Sequence, residues 1–474
     1  MESTKDALIE AMTDESLPLF TTDRTQPVRL RMGENEAGDK PLTVMEVFQK
    51  TAKRYASQPA LHQKIVAEVS AALHRTSVSE HFKVYVYMAL NFFLIVFDMQ
   101  GTKADDTTWT TWTWKEYEDN VYAFAKALMS LGFEKFDTIN IIGFNSPEWF
   151  MANFGAIAAG GVPAGTYTTN LPEACKYVAS HSEAKVIVCE GVKQLQKYLQ
   201  IATDLPKLKA LVMYGPDEIP DEAKTKCSVP VYKFDEFLNL GKDIELSAVD
   251  ERIAAQRPNE TCTLIYTSGT TGNPKAVMIT HDNLTWVTQR VIEALSWNLC
   301  NEDHMVSFLP LSHIAAQMLD MHCAIHSGLQ VWFAQPDALR GSIGTTLKQV
   351  RPTMFFGVPR VWEKIYDKMQ EVAKQTTGVK KTISTWAKAQ CLQKQLNDQY
   401  GTANATCTTG ILYPVAHKLI SQVHVALGLD RCKAFFTAAA PIEYKVLEYF
   451  ASIGIPIYEV FGQSECKFKI FQVL

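Results

Sequence analysis

The sequence predicts an α/β chain built on two mostly parallel sheets, and three observations carry that reading. From Trp114 to Glu190, strand-like runs alternate with helical stretches. Alternation of strands with helices of roughly 10–15 residues argues for parallel strands covered by helices on both faces. After Thr261 a second alternating set begins, with strands expected at Met305 to Leu309, Leu329 to Phe333, Thr353 to Phe356, Lys433 to Phe436 and Ile457 to Val460. Between the two sets, the apolar run Thr263-Leu264-Ile265 leads into a loop dense in glycine and hydroxyl residues.

That loop organises the chain. It reads Tyr266-Thr267-Ser268-Gly269-Thr270-Thr271-Gly272-Asn273-Pro274-Lys275. Gly269 and Gly272 permit positive φ and close approach of the backbone. Turns of this kind aim successive N–H groups inward and form a concave anion site. The hydroxyls add donors, and Lys275 adds a point charge suited to phosphate. It is not the usual P-loop, which needs G-x-x-x-x-G-K-[ST] opening a helix. Here Ala276-Val277-Met278-Ile279-Thr280 follows, a strand-like run, and a helix capped by Asp282 or Asn283 comes later. The loop is therefore expected to join two extended segments, with no helix dipole to assist it.

Composition bounds the function. The chain has 474 residues, 47% hydrophobic, enough for more than one subdomain. A net charge of −5 gives no support to a nucleic-acid partner. Ten cysteines are scattered without a C-x-x-C pair or metal spacing, which fits a reducing, cytoplasmic setting rather than a disulfide framework. The acidic, polar stretch from Met1 to Leu17 is not a signal peptide. The apolar run Val84 to Phe97 is shorter than the roughly 20 residues of a spanning helix. A buried strand or helix is expected there. The alternative is an interfacial segment giving peripheral contact with the endoplasmic reticulum or another membrane.

In chain order, residues 1 to about 40 read as a loosely ordered leader. Val44, Val47, Phe48 and Ala52 mark a helix from Thr43 to Tyr55, and a strand follows at Pro59-Ala60-Leu61-His62. Helices are expected over Tyr117 to Leu131, Pro147 to Ala159 and Pro172 to His181, with strands at Thr138 to Gly143 and Ala184 to Cys189. Gly160-Gly161-Val162-Pro163 reads as a turn. Val361 to Gln422 is helical and polar, broken by a loop at Gly401 to Gly410.

Tyr266 to Lys275 resembles the phosphate loop of the adenylate-forming superfamily of acyl-CoA synthetases, luciferases and peptide-synthetase adenylation domains. Further motifs extend the resemblance. Phe308-Leu309-Pro310-Leu311-Ser312-His313 sets a histidine just past a strand end, where open α/β sheets hold ligands; the resemblance assigns His313 to the mouth of the acyl pocket. The small-residue turn Ala438-Ala439-Ala440-Pro441 would border adenine and acyl chain. Tyr458-Glu459-Val460-Phe461-Gly462-Gln463-Ser464-Glu465 resembles the family's aromatic-Gly-x-[Thr/Ser]-Glu motif. Tyr458, Phe461 and Gly462 would meet adenine, Ser464 the α-phosphate, and Glu465 with Thr267 would hold Mg²⁺, which takes one or two protein oxygens plus phosphates. Val358 to Ile365, with Leu427 to Ile442, points to the bubblegum-type long-chain branch.

The resemblance implies ATP-dependent activation of a long-chain fatty acid to its adenylate, then transfer to coenzyme A, with Lys275, His313 and Glu465 as catalytic residues. It implies the large N-terminal domain of that fold from residue 41 on, with subdomains over about 109–257 and 258–474. Two departures accompany it. Lys64 to Thr108 matches nothing in the family and reads as an insertion that loops out. After Cys466 the sequence Lys467-Phe468-Lys469-Ile470-Phe471-Gln472-Val473-Leu474 closes without the family's ribose-binding Asp, hinge and small lid. The expectation is a truncated end and impaired turnover. A non-catalytic nucleotide- or acyl-binding form is the alternative, and a non-CoA adenylating enzyme a third reading.

Overall fold

The computed structural model describes residues 11–30, 40–64, 109–267, 273–294, 298–400, 412–464 and 466–471. Its strands are β1 (Pro59–Lys64), β2 (Trp109–Thr113), β3 (Thr138–Ile142), β4 (Val162–Thr166), β5 (Ala184–Glu190), β6 (Ala210–Tyr214), β7 (Val231–Lys233) and β8 (Thr261–Thr267). There follow β9 (Lys275–Thr280), β10 (His304–Ser307), β11 (Gln330–Phe333), β12 (Met354–Phe356), β13 (Ala434–Ala438), β14 (Ile457–Gln463) and β15 (Cys466–Phe471). They form a seven-stranded sheet of order β7-β6-β5-β3-β4-β8-β9 and an eight-stranded sheet of order β15-β14-β13-β12-β10-β11-β1-β2. Antiparallel pairs occur only at sheet edges among these strands: β8–β9, β14–β15 and β1–β2.

The central strands read as continuous apolar runs because both their faces are covered. In β3 every residue from Thr138 to Ile142 is buried. The covering helices begin where the sequence supplies caps. Those used below are α1 (Val44–Arg54), α2 (Trp114–Ser130), α3 (Pro147–Ala158), α4 (Pro172–Ser182), α5 (His281–Ala294), α6 (Pro359–Lys374), α7 (Gly378–Tyr400), α8 (Leu412–Leu427) and α9 (Tyr444–Ser452). Thr43 and Glu46 close a capping box at α1, and Thr113 and Glu116 close another at α2. Ser146 accepts from Trp149 N, with Pro147 at the first position of α3.

Several expectations need correction. Gly160 to Pro163 is not only a turn, since Val162 and Pro163 already belong to β4, a central strand. Proline is tolerated there because β8 is in register only at Ala164↔Leu264, while the Thr263 hydroxyl donates to Pro163 O at 3.1 Å. The cap of α5 lies earlier than Asp282: Thr280 Oγ1 accepts from Asn283 N and Thr280 N donates to Asn283 Oδ1, both at 3.2 Å. The leader is not loose over residues 11–30. Met12 and Leu30 are buried, Asn259 bonds both backbone groups of Val28, and Arg24 donates to Phe136 O. The sheets also do not divide near residue 258, because β8 and β9 extend the first sheet while β1 and β2 edge the second. Cys466–Phe471, for which the sequence reading assigned no element, pairs with β14 at Val460↔Ile470 and Phe461↔Lys469. The Val84 to Phe97 run and the Gly401 to Gly410 loop lie outside the described residues.

Trp362 locks the second sheet to its helices. It is fully buried, and its indole N–H donates to Phe436 O at 2.9 Å. Its ring meets Phe355 edge-on at 5.2 Å and Phe450 at 4.9 Å, so α6, β12 and α9 share one contact. Trp362→Ala should cost about 3–5 kcal/mol of stability. Urea denaturation checks this, and a loss below about 1 kcal/mol would contradict the assignment.

Candidate functional site

The glycine-rich loop is the tip of the β8–β9 hairpin. Antiparallel pairing runs to its mouth, where Thr267 faces Lys275, and Thr267 Oγ1 donates to Lys275 O at 3.5 Å. Lys275 is exposed at the first position of β9. Ser268, Gly269, Thr270, Thr271 and Gly272 lie outside the described residues. Two side chains of α4 steady the hairpin from below. Tyr177 OH donates to Pro274 O at 3.1 Å, and His181 Nδ1 lies 2.9 Å from Tyr266 OH. The Tyr177 and His181 rings stack at 5.5 Å, as an i,i+4 pair on one helix face can. The sequence reading missed both; an aromatic pair at that spacing on a predicted helix was the available signal.

His313 sits in the segment that leaves β10. Its backbone N–H donates to Pro310 O at 3.0 Å, and its Nδ1 accepts from Ala315 N at 3.2 Å, capping the next helical turn. The ring is accessible yet crowded by protein, as on a cleft wall, and desolvation lowers its pKa below the ordinary histidine value. Buried amides hold the segment in place. Asn145 Nδ2 donates to Leu309 O and to Ser307 Oγ, each at 2.8 Å. Ser307 in turn donates to Asp320 Oδ2 at 2.6 Å, and Gln317 Nε2 donates to Leu311 O at 2.7 Å. Gln317 and Asp320 lie in a π-helical turn, Gln317–His322, a form concentrated at functional sites.

The third group comes from β13 and β14, paired Phe436↔Tyr458 and Ala438↔Val460. Ala438 is buried. Ala439 follows with φ +76°, a left-handed conformation that costs a non-glycine residue about 1–2 kcal/mol. Ala440 and Pro441 are exposed. Tyr458 is half-buried, its ring 6.0 Å from Phe436, whereas Phe461 is 57% exposed and free to meet a planar ligand. Gly462 is exposed, and Ser464 occupies the turn into β15. Glu465 lies outside the described residues.

Parallel strand direction brings these groups together. β10, β12, β13 and β14 are parallel neighbours, so the His313 segment, Gly357, Ala439–Ala440 and Phe461–Ser464 all leave one edge of the second sheet. The first sheet meets that edge at Gly165, where an added Cβ would lie 2.7 Å from Ser312 Cα. β8, which ends at Thr267, is the strand beside β4. Among the described residues no three His, Cys, Asp or Glu side chains cluster as a metal site.

Asp320 generates a test. Burial pushes its carboxyl up to about 7, against 3.8 for an exposed aspartate. The folded chain therefore holds a proton that the unfolded chain has lost, and stability contributed by this group falls as pH rises from about 4 to about 7. Asp320→Asn, which keeps an acceptor for Ser307, should gain stability relative to wild type across that window as pH rises. Urea midpoints of both proteins at several pH values check this, and a constant difference would refute it.

Similarity to known proteins agrees with this fold. The chain is 41% identical over 465 residues to the long-chain-fatty-acid–CoA ligase ACSBG2 of Xenopus laevis, covering 96% of this chain and 56% of that protein. It is 40% identical over 372 residues to ACSBG1 of Rattus norvegicus, a ligase of the same description, covering 77% of this chain and 49% of the relative. The chain thus spans about half the length of these relatives. Among solved structures, the A-PCP didomain of the Segniliparus rugosus carboxylic acid reductase, in complex with AMP, superposes with TM-score 0.64 at 18% identity, over 92% of this chain and 54% of that one. The adenylation domain of a Mycobacterium chelonae carboxylate reductase gives 0.63 at 17% identity, over 98% and 64%. Both share the fold of two mostly parallel sheets. Residues 95–471 match the family described as AMP-binding enzyme, and the chain belongs to that family.

Proposed function

We propose that this chain is the ATP-using part of a long-chain fatty acid–CoA ligase, and that residues 41–474 act as its AMP-binding domain. What supports the reading most is the approach of the first sheet, which carries the Thr267–Lys275 hairpin mouth, to the Ser312–His313 segment, which leaves the second sheet on the same side as Ala438–Pro441 and the end of β14 at Phe461–Ser464. In this reading Lys275 and the loop hydroxyls hold the β- and γ-phosphates, and adenine lies against Ala438–Ala440 and the Phe461 ring. His313 lines the mouth of the acyl pocket. The fatty-acid carboxylate forms a bond to the α-phosphorus as the bond to the departing pyrophosphate breaks, giving an acyl-adenylate. Coenzyme A sulfur then takes the acyl group and AMP departs. The protein supplies positioning and charge neutralisation.

The Thr267 hydroxyl at the hairpin mouth suits a hard cation that keeps phosphate oxygens as its other ligands, so Thr267 and Glu465 are the proposed Mg²⁺ contacts. Mg²⁺ bound there would offset phosphate charge. We place the protein in the cytoplasm, with peripheral contact to the endoplasmic reticulum or another membrane. The apolar substrate supports that contact, and no helix among the described residues is long and apolar enough to cross a membrane.

ATP–pyrophosphate exchange with palmitate on the purified chain tests the adenylation step. Exchange, however slow, supports the ligase reading; Mg-ATP binding without exchange would favour a nucleotide-binding, non-catalytic form. Lys275→Ala should weaken Mg-ATP binding by roughly 1.5–3 kcal/mol, the worth of a charged hydrogen bond, by calorimetry. Unchanged affinity would remove Lys275 from the phosphate site. Glu465→Gln should abolish the strengthening of ATP binding by Mg²⁺ while the circular dichroism stays native. If Mg²⁺ strengthens binding to the same degree in that variant, Glu465 is not its ligand.

A further inference from the structure

Seven of the fourteen large apolar side chains that stand exposed among the described residues fall between Val372 and Val425. They belong mostly to α7 and α8, which pack side by side. Lys394, near the end of α7, lies over the ring of Tyr413 at the start of α8, so the two run antiparallel. Each helix buries one stripe, Ala387 and Cys391 on α7 and Ala416 and Ile420 on α8. Each also turns apolar residues outward, Val379 and Ile383 at i,i+4, and Leu412, Val415 and Leu419 at i,i+3,i+7. An apolar stripe on the solvent side of a packed helix marks a contact surface rather than core.

Charge separates this surface from the rest of the molecule. From Val372 to Leu427 the sequence holds six lysines and a single acid, Asp398, within a chain whose net charge is −5. Asp398 is taken by Lys394. Lys374, Lys380, Lys381 and Lys418 are exposed and make no ion pair among the described residues.

We propose that α7 and α8 form the face by which this chain docks on an anionic lipid surface. The inference locates the membrane contact of the proposed function, but its test does not depend on catalysis. Apolar residues set at the headgroup boundary and lysines beside them are the two parts of an interfacial helix. Juxtamembrane lysines are attracted to anionic headgroups within a Debye length. A second copy of the chain is the poorer occupant, because an isologous contact would set the four exposed lysines of this face against the same four.

The test is co-sedimentation of the purified chain with vesicles of phosphatidylcholine alone and of phosphatidylcholine with phosphatidylserine. Binding is expected to the anionic vesicles only and to weaken as salt rises. The Lys380→Glu/Lys381→Glu pair should lower the partition coefficient at least tenfold, taking roughly fivefold per charge. Val415→Asp/Leu419→Asp should lower it comparably. Both double variants should keep wild-type circular dichroism and wild-type ATP–pyrophosphate exchange. No binding to anionic vesicles by the wild type would overturn the proposal, as would binding that both variants retain. A dimer that these substitutions dissociate would assign the face to a second copy instead. Loss of exchange in the wild type would sink the ligase reading and leave the vesicle result standing.

Discussion

The approach of Ser312 to Gly165 is the contact on which the candidate site depends. Gly165 lies in a fully buried strand, and any Cβ there would come within 2.7 Å of the Ser312 backbone and 3.3 Å of the Trp149 ring. The first sheet can therefore meet the segment carrying His313 only because that position has no side chain. Everything else about the site follows from this closeness. The hairpin mouth at Thr267 is next to β4 through β8, and the second sheet's strand ends share one edge with β10. One steric allowance thus lets the sheet that carries Thr267 approach the segment that carries His313.

Around that contact the protein uses buried polar groups where a purely apolar junction would leave the segment free to shift. Asn145, Ser307, Asp320 and Gln317 clamp two carbonyls of the stretch before His313. The amide nitrogens and the serine hydroxyl of this network are all paired, while Asn145 Oδ1 and Gln317 Oε1 are buried without a partner among the described residues, and breaking a made bond would leave a further group desolvated and unpaired. Burial pushes the Asp320 carboxyl up to about 7, and the one offsetting contact among the described residues is the Ser307 hydroxyl. The left-handed Ala439 adds local strain at the turn expected to border adenine, the kind of outlier that clusters at binding sites.

The two halves of the molecule differ in how they meet solvent. Around the candidate site, exposed groups are polar or small, apart from Phe461. Along α7 and α8 they are apolar and basic, and half of the exposed large apolar side chains among the described residues gather between Val372 and Val425.

Much of this was legible in the residues. Periodicity gave the helices beginning near Trp114, Pro147 and Pro172 to within a few residues, and the β-branched run after Lys275 identified a hairpin where a P-loop would have a helix. The sequence by itself determined the fold class and the family, because these rest on local pattern and on motifs whose residues are contiguous. Only the tertiary structure decided that Val162 and Pro163 are strand, that residues 11–30 are tied down by Asn259, and that β8 and β9 join the first sheet. It alone decided the service of Tyr177, His181, Asn145 and Asp320. Each of these depends on a partner tens to hundreds of residues away, and strand order, register and the closure of buried hydrogen bonds are properties of the assembled chain that no local window of sequence contains.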